Sequence, residues 1–527
     1  MIVLNTDPRA APGAPVLAPA TAPAAPPLAP ALEFDLPPAY AARLLRCPPV
    51  AARRQGRARA EKRHIVWHDT PAGALAKQGR AVATHNQAWR LELLGPGGTV
   101  WLPATPAPIL ARAARLADLP GLPAEDLVPV AAFTGISRSL TLVHAGMPAR
   151  LEVLDGQIRH VTAEQPCCRV TLCGDPATLA ALALEIAAHA PLTIPAASLA
   201  ATALAFARGK PCPPRHLGAP DLAPGLNVAA SLTLITGHLA DVILHWAARV
   251  RPGAGQEPVH QMRVALRRLR SALSVFRRAA PGEAPQALGR ALKDVAALLG
   301  AARDWDVFLD GSGAAVGHAF PRDKRVAAML AAARRRQTEA YAALTAYLAS
   351  PAWRMLALRL ALLPSARAWV DAAAPAPATL LAARPDALAA KSDMLAAPAA
   401  VFAAQALQRR WKQLRARGED FDMLPPEALH ALRKDAKRLR YAAEFFAPLF
   451  PTKPTRRFLE RLVTLQATLG AVNDSHVAAA LMARLGGADR AFAAGVVQGY
   501  VAASSASLAD GASKAWRKLV QQDCFWA

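Results

Sequence analysis

The chain has 527 residues, 53% of them apolar, and carries 62 Lys+Arg against 38 Asp+Glu, a formal net charge of +24. That length allows two to four domains, and a field of that sign draws in polyanions: nucleic acid, an anionic membrane or polyphosphate. The six cysteines (Cys47, Cys167, Cys168, Cys173, Cys212 and Cys524) form no CxxC pair, which argues against a zinc site or a disulfide framework and predicts a reducing, cytoplasmic location.

Residues 1–30 are almost all Ala, Pro and other small residues. Such a segment cannot bury a core and is expected to be disordered. It also lacks the basic start and apolar run of a secretory signal. Residues 31–210 have the texture of strands. HIVWHDTP, AWRLELLG, SLTLVHAG, ARLEVLDGQI and CCRVTLCG are apolar or alternating runs bounded by Gly, Pro or Asp, the pattern of short strands in an antiparallel β domain. Helices are predicted at Asp175–Ala190 and Ser198–Arg208. Ile186–Ala207 carries no formal charge but holds His189, Pro191 and Pro195, so it reads as Ala-rich structure in water and not as a membrane span. Residues 211–225, in the run KPCPPRHLGAPDLAP, read as a Pro-rich linker.

Four stretches of the β domain, LEFDLPPAYAARLLRCPPV, HIVWHDTPAGALAKQGRAV, ARLEVLDGQI and GDPATLAALALEIA, resemble a CYTH domain, the triphosphate tunnel fold. The resemblance implies a β tunnel that hydrolyses or cyclises triphosphates with a divalent metal such as Mg²⁺. It also implies a Glu-x-Glu-x-Lys first strand; counting back from Pro37-Pro38, those places hold Ala29, Ala31 and Glu33. The family's Arg-x-Arg falls on Ala83 and His85, and its late Glu-x-Glu near Cys168 and Val170. A hard cation needs carboxylate oxygens around it. The expectation is therefore a degenerate tunnel with no catalytic residue, no metal ligand and no cofactor. Arg63, Arg90, Arg138, Glu92 and Glu152 read as strand-surface charges or as remnants of an anion site.

From residue 226 to residue 527 the pattern is helical, in two halves (about 226–363 and 399–525). Helices are predicted at Asn227–Val250, Glu257–Arg278, Ala284–Leu299, Asp304–Leu309, Arg322–Ala349 and Ala352–Leu362. An Ala/Pro-rich connector covers 364–398. Ala399–Arg417, Pro426–Phe446, Thr455–Leu469, Asp474–Leu485 and Ala488–Val520 follow. Apolar stripes of this kind bury into helical bundles, so the fold class is α+β: a β tunnel followed by duplicated all-α bundles.

The stretch VHQMRVALRRLRSALSVFRR (259–278) organises this region. At about 100° per residue, Met262, Leu266, Leu269, Leu273 and Phe276 share one side. His260, Arg263, Arg267, Arg270, Arg277 and Arg278 share the other, and no carboxylate lies between Glu257 and Glu283. A charge run is usually a solvated face, but this one recurs. His430, Arg433, Lys437 and Arg440 repeat His260, Arg263, Arg267 and Arg270 at an offset of 170 residues. Leu299-Gly300-Ala301-Ala302-Arg303-Asp304 recurs at the same offset as Leu469-Gly470-Ala471-Val472-Asn473-Asp474. Two motifs sharing one offset mark an internal duplication.

The motif VHQMRVALRRLRSAL…LLGAARDWDV, repeated as LHALRKDAKRLRYAAEFF…TLGAVNDSHV, resembles the CHAD domain. The resemblance implies binding of inorganic polyphosphate in a basic groove between two bundles. The contacts expected are His260, Arg263, Arg267, Arg270, Arg303, His430, Arg433, Lys437 and Arg440, with Arg268, Lys434, Arg438 and Tyr441 in a second tier. Each His also fits a helix-start residue satisfied by backbone, and Tyr441 fits the core as well as a phosphate contact. Arg303 and Asn473 are expected at a helix start just past Leu-Gly, where Asp304 and Asp474 would cap the helix or orient an Arg. A triphosphatase fed by the basic domain and a nucleic-acid binder are the competing functions; the stripes carry few stacking aromatics for the latter. No membrane partner is expected, the oligomeric state is open, and the site in the cell would be the cytoplasm, at polyphosphate granules.

Overall fold

The structure is a computed structural model that describes residues 30–94, 106, 108–161, 163–210, 222–281, 283–363, 393–485 and 491–527. The Ala/Pro-rich start, most of the linker and most of the connector expected at 364–398 lie outside these residues.

Eight strands, β1 (Ala31–Asp35), β2 (Arg54–Asp69), β3 (Arg80–His85), β4 (Ala88–Leu93), β5 (Ile109–Ala113), β6 (Val128–His144), β7 (Met147–His160) and β8 (Ala163–Gly174), form one antiparallel sheet. Its order is β1-β8-β7-β6-β2-β3-β4-β5, and it curls into a half-barrel. Three short helices, α1 (Ala41–Leu44), α2 (Pro48–Arg53) and α3 (Ala74–Lys77), sit in its connections. The strands are longer than their apolar runs suggest. β2 starts at Arg54 because the exposed RQGRARAEKR segment continues the ladder on β6; polar residues on a solvated strand leave no apolar signal. Gly135 on β6 pairs with Gly156 on β7, and a Cβ on either would sit under 3 Å from the other strand's backbone and from Phe133. The two glycines thus make room for a close approach and for the buried ring.

Alternation then assigns the two faces. Leu32, Phe34, Leu142, Leu151, Val153, Val170 and Leu172 are buried beneath α4 (Pro176–His189). Asp175 caps that helix by accepting from the N–H groups of Ala177 and Thr178. The opposite face buries Ile65, Trp67, Ala83, Phe133 and Ile158 against α5 (Leu199–Ala207), which fills one end of the trough.

The remaining helices are α6 (Val228–Ala247), α7 (Glu257–Phe276), α8 (Glu283–Asp310), α9 (Ser312–Ala319), α10 (Lys324–Leu348), α11 (Pro351–Leu362), α12 (Ala399–Arg417), α13 (Pro426–Phe446), α14 (Thr452–Leu485) and α15 (Ala491–Val520). Helices at matching places in the two halves pack on one another: α6 on α12, α7 on α13 and α8 on α14. One core holds Leu266, Leu269 and Phe276 from the first half with Phe402, Leu432, Leu439 and Phe446 from the second. A second cluster joins Trp305, Phe308 and Met329 to Leu481, Met482 and Val497. α6 has the length and mean hydropathy (1.4) of a membrane-crossing helix, but 67% of its apolar window is buried inside the protein.

The helix break expected after the repeated Leu-Gly does not occur. α8 runs unbroken through Leu299–Asp304 and α14 through Gly470. Glycine inside a helix costs only about 1 kcal/mol. A neighbouring side chain explains its use at Gly300, where a Cβ would lie 3.0 Å from Arg263 Nη1. Asp304 is therefore a mid-helix residue and no cap; the side chains of Asn473 and Asp474 lie outside the described residues.

The two units also share a core. Leu358, Ala361 and Leu362 of α11 join the sheet's cluster beside Leu179, Leu182 and Ala183 of α4. Below the Pro-rich linker, apolar packing holds the helical unit to the sheet unit.

Candidate anion-binding groove at the helix crossing

α7 and α13 bury their Leu faces in the common core, so their basic faces flank the line along which they cross. The crossing is fixed by two contacts. The Arg267 guanidinium lies 5.3 Å from the centroid of the Tyr441 ring, a cation–π arrangement. Arg268 is paired with Glu444. Arg267, the third member of its stripe, thus meets α13 one turn past Lys437, the third member of the other. His260 and His430 lie about 10 Å out along their helices, at 1.5 Å per residue.

In the first half the cations crowd together. Arg303 reaches the stripe from α8, held by Gln256 Oε1 (2.8 Å) and by Asp306 (3.7 Å). Asp306 is fully buried and also accepts from Gln337 (2.8 Å) and Tyr341 (3.0 Å), which fixes it as a support. Among the described residues, Arg263 has one carboxylate partner, Asp304, at 3.9 Å. Burial pushes the His260 imidazole below its usual 6.5, and Arg303, Arg267 and Arg263 push the same way against Glu257. Burial likewise lowers Arg263, opposed by Asp304 and reinforced by Arg267 and Arg303. Like charges held this close favour an anion between them.

The second half matches this in outline. His430, Arg433 and Lys437 are half-buried on α13, and Arg433 Nη2 lies 3.6 Å from where a Cβ on Gly470 would stand. Thus each repeated glycine faces the second member of a stripe. The fourth members differ. Arg270 is exposed, whereas Arg440 is tied to Glu444 (2.6 Å) and Gln466 (3.2 Å). The second-tier residues also separate. Arg268 is a cross-half ion pair, Tyr441 is buried in the core under Arg267, Lys434 is exposed, and Arg438 binds Asp435 (3.0 Å).

Three participants carried no recognisable sequence signal. Gln256 precedes the stripe and orients Arg303. Arg484, near the end of α14, helps Arg263 hold Asp304 in its charged form against burial. Glu444 has no carboxylate counterpart in the first half, since Ser274 stands at the matching position. The repeated glycine was visible, but its use became clear only with the Arg263 side chain beside it.

Residues 233–483 match the family model of the CHAD domain. The chain carries a CHAD domain. Similar solved structures include the CHAD domain from the plant Ricinus communis, 28% identical with a TM-score of 0.47, covering 58% of this chain and 96% of that one. Another is PptA from Streptomyces chartreusis, 15% identical with a TM-score of 0.40, covering 55% of this chain and 100% of that one. No curated protein matches the chain significantly.

Outside the CHAD domain, the sheet face that carries α5 holds cations of a different kind. Glu33 on β1 and Glu92 on β4 lie close enough for their charges to interact, although they stand near opposite ends of the strand order; this is the concave face. Arg169 is 3% exposed and bridges Glu33 (3.0 Å) and Asp35 (2.9 Å). Burial raises both carboxyls, and Arg169 opposes the rise. Arg90 pairs with Glu92, and Arg63 with Glu152 (3.4 Å) and Glu61 (3.5 Å). On the opposite face, level with Val153 and Cys168, Arg138 pairs with Asp155 (3.5 Å). Among the described residues, no three His, Cys, Asp or Glu side chains gather as a metal site.

Proposed function

We propose that this protein binds inorganic polyphosphate, without turning it over, in the groove where α7 and α13 cross. The observation that carries this reading is the convergence of two duplicated basic stripes at one crossing, with Asp304 the nearest carboxylate to Arg263. Each phosphate of the polymer brings about one negative charge, so affinity comes from counterion release and from Arg and Lys contacts, as on a nucleic-acid backbone. Arg263, Arg267, Arg303 and Arg433 offer planar forks for two oxygens; Lys437 offers a point charge. His260 donates to a phosphate oxygen once the polymer's charge offsets its neighbouring arginines.

A nucleic acid meets the same charges but finds no stacking platform, since Tyr441 is buried under Arg267. A triphosphatase in the sheet unit, the activity that the CYTH resemblance implies, needs a metal that these residues do not fit. Glu33, at the family's Lys position, is held by Arg169, while Cys168 and Val170 face the core under α4. Ala83 is buried under α5 and His85 is paired with Arg63.

The test is competition on the full chain. Labelled long-chain polyphosphate is displaced by unlabelled polyphosphate and by single- or double-stranded DNA of equal charge. Polyphosphate should compete at least tenfold better, a difference of about 1.4 kcal/mol. Equal competition by DNA would replace this reading with a general polyanion binder.

A further inference from the structure

The two halves differ most in a helix that the stripes do not use. α12 carries Arg409, Arg410, Lys412, Arg415 and Arg417 and no carboxylate. α6, its counterpart, carries no Lys or Arg. The duplication therefore holds a basic helix in one half and an apolar one in the other.

The charges of α12 continue those of the groove. Arg438 follows Lys437 on α13 and is held by Asp435, which is 4% exposed. Asp435 also takes Arg417 Nε at 2.7 Å and Gln413 at 3.4 Å. One turn back along α12, Arg410 has its Nε buried with no hydrogen-bond partner. Burial lowers the Arg410 cation to about 10, with Arg409 and Arg438 adding and Asp435 opposing. Arg409 in turn feels Arg278, two residues past the end of α7. Among the described residues, Asp435 is the carboxylate facing this group, and Arg417 and Arg438 already occupy it. The row from Arg438 through Arg410 and Arg409 to Arg278 is thus underneutralised, and it begins one residue past Lys437 of the second stripe.

We propose that this row is an exit lane for the polymer: a polyphosphate chain held at the crossing leaves it over α13 and α12, toward Arg278 at the end of α7. The lane rests on the polyphosphate reading of the groove and adds two consequences to it. Chains long enough to reach α12 bind more tightly than short ones, because the second set of contacts is made at high effective concentration. The polymer also leaves the pseudo-symmetric groove in one direction.

The test uses the full chain, a short oligophosphate and long-chain polyphosphate, each titrated at two salt concentrations. Arg278→Ala with Arg409→Ala removes two exposed lane cations. It should weaken long-chain binding about tenfold and lower the salt slope by about 1.4, at about 0.7 per single-strand contact, with short-chain binding unchanged. Arg278→Gln with Arg409→Gln keeps the aliphatic stems and should give the same result if the Ala pair folds poorly. Equal losses for short and long chains would make Arg409 part of one compact site and overturn the lane. A loss no larger than that of Arg335→Ala with Arg336→Ala would also overturn it. Arg263→Ala with Arg267→Ala separates the two claims: if that pair weakens both ligands while the lane pair does nothing, the lane fails and the groove stands. If neither pair exceeds the control, the groove itself fails.

Discussion

The concave face of the sheet and the crossing of α7 with α13 are both rich in arginine, yet they are built for opposite ends. On the sheet, Arg169, Arg90 and Arg63 each meet a carboxylate. At the crossing, Arg263, Arg267, Arg303 and His260 press on one another, with Asp304 at 3.9 Å from Arg263. Counting cations would rank the two faces together. What separates them is the charge left after internal pairing, because only that remainder can be satisfied by an incoming anion.

The comparison breaks first at Arg169. Arg169→Met strands the mostly buried Glu33 carboxylate and removes the partner of the half-exposed Asp35, and should destabilise the sheet by about 3 kcal/mol, measured by urea unfolding. Little change would mean that the pairing is not structural. Next comes the groove. Arg263→Ala with Arg267→Ala removes two charge-assisted contacts of about 1.5 kcal/mol each and should weaken polyphosphate about a hundredfold. Arg433→Ala with Lys437→Ala should do much the same. Both pairs should keep the fold, the first with a somewhat lower melting temperature because Arg267 also packs on the buried Tyr441.

A smaller effect concerns protons. His260 is held below 6.5 in the free groove, so it is neutral at pH 7. A polyanion raises it, and binding then takes up a proton. Affinity should rise several-fold from about pH 8 to about pH 6, the range in which histidine titrates, and His260→Gln should flatten that rise. Smaller still is the glycine pair. Gly300→Ala displaces the Arg263 guanidinium from a 3.0 Å approach, whereas Gly470→Ala leaves Arg433 at an ordinary 3.6 Å. The first should weaken binding about threefold while adding helix propensity; the second should not weaken it. Equal effects would show that the two glycines do the same job. Last, the full chain should release no phosphate from tripolyphosphate above background with Mg²⁺ or Mn²⁺; chelator-sensitive release would restore the tunnel as an enzyme.

Much of the helical unit was legible in the sequence because a buried helix face writes its period into the chain. α13 and α12 run as their patterns predict, and the offset of 170 residues marked the pairs that pack together. The uninterrupted α8 was not legible, since Leu-Gly followed by Arg-Asp carries the marks of a break and a cap. Only the approach of Arg263 explains the glycine. The sheet hid more. β2 and β6 extend through polar residues with no apolar signal, and the pairing of Glu33 with Arg169 joins positions 136 residues apart. Within the groove, the stripes could be read, but which cations are spent on partners could not. Arg440 and Arg270 look equivalent in sequence and differ because Glu444 stands beside one of them.

The seam formed by Leu358, Ala361 and Leu362 against α4 has a thermodynamic consequence. Two bodies that share buried leucines cannot melt independently, because opening either one exposes part of the other's interior. A ligand that grips the CHAD helices therefore transmits its binding energy across the seam by mass action. The half-barrel should unfold at a higher temperature whenever polyphosphate is bound some distance away. Its tryptophans, Trp67 foremost, become reporters of an event they never touch.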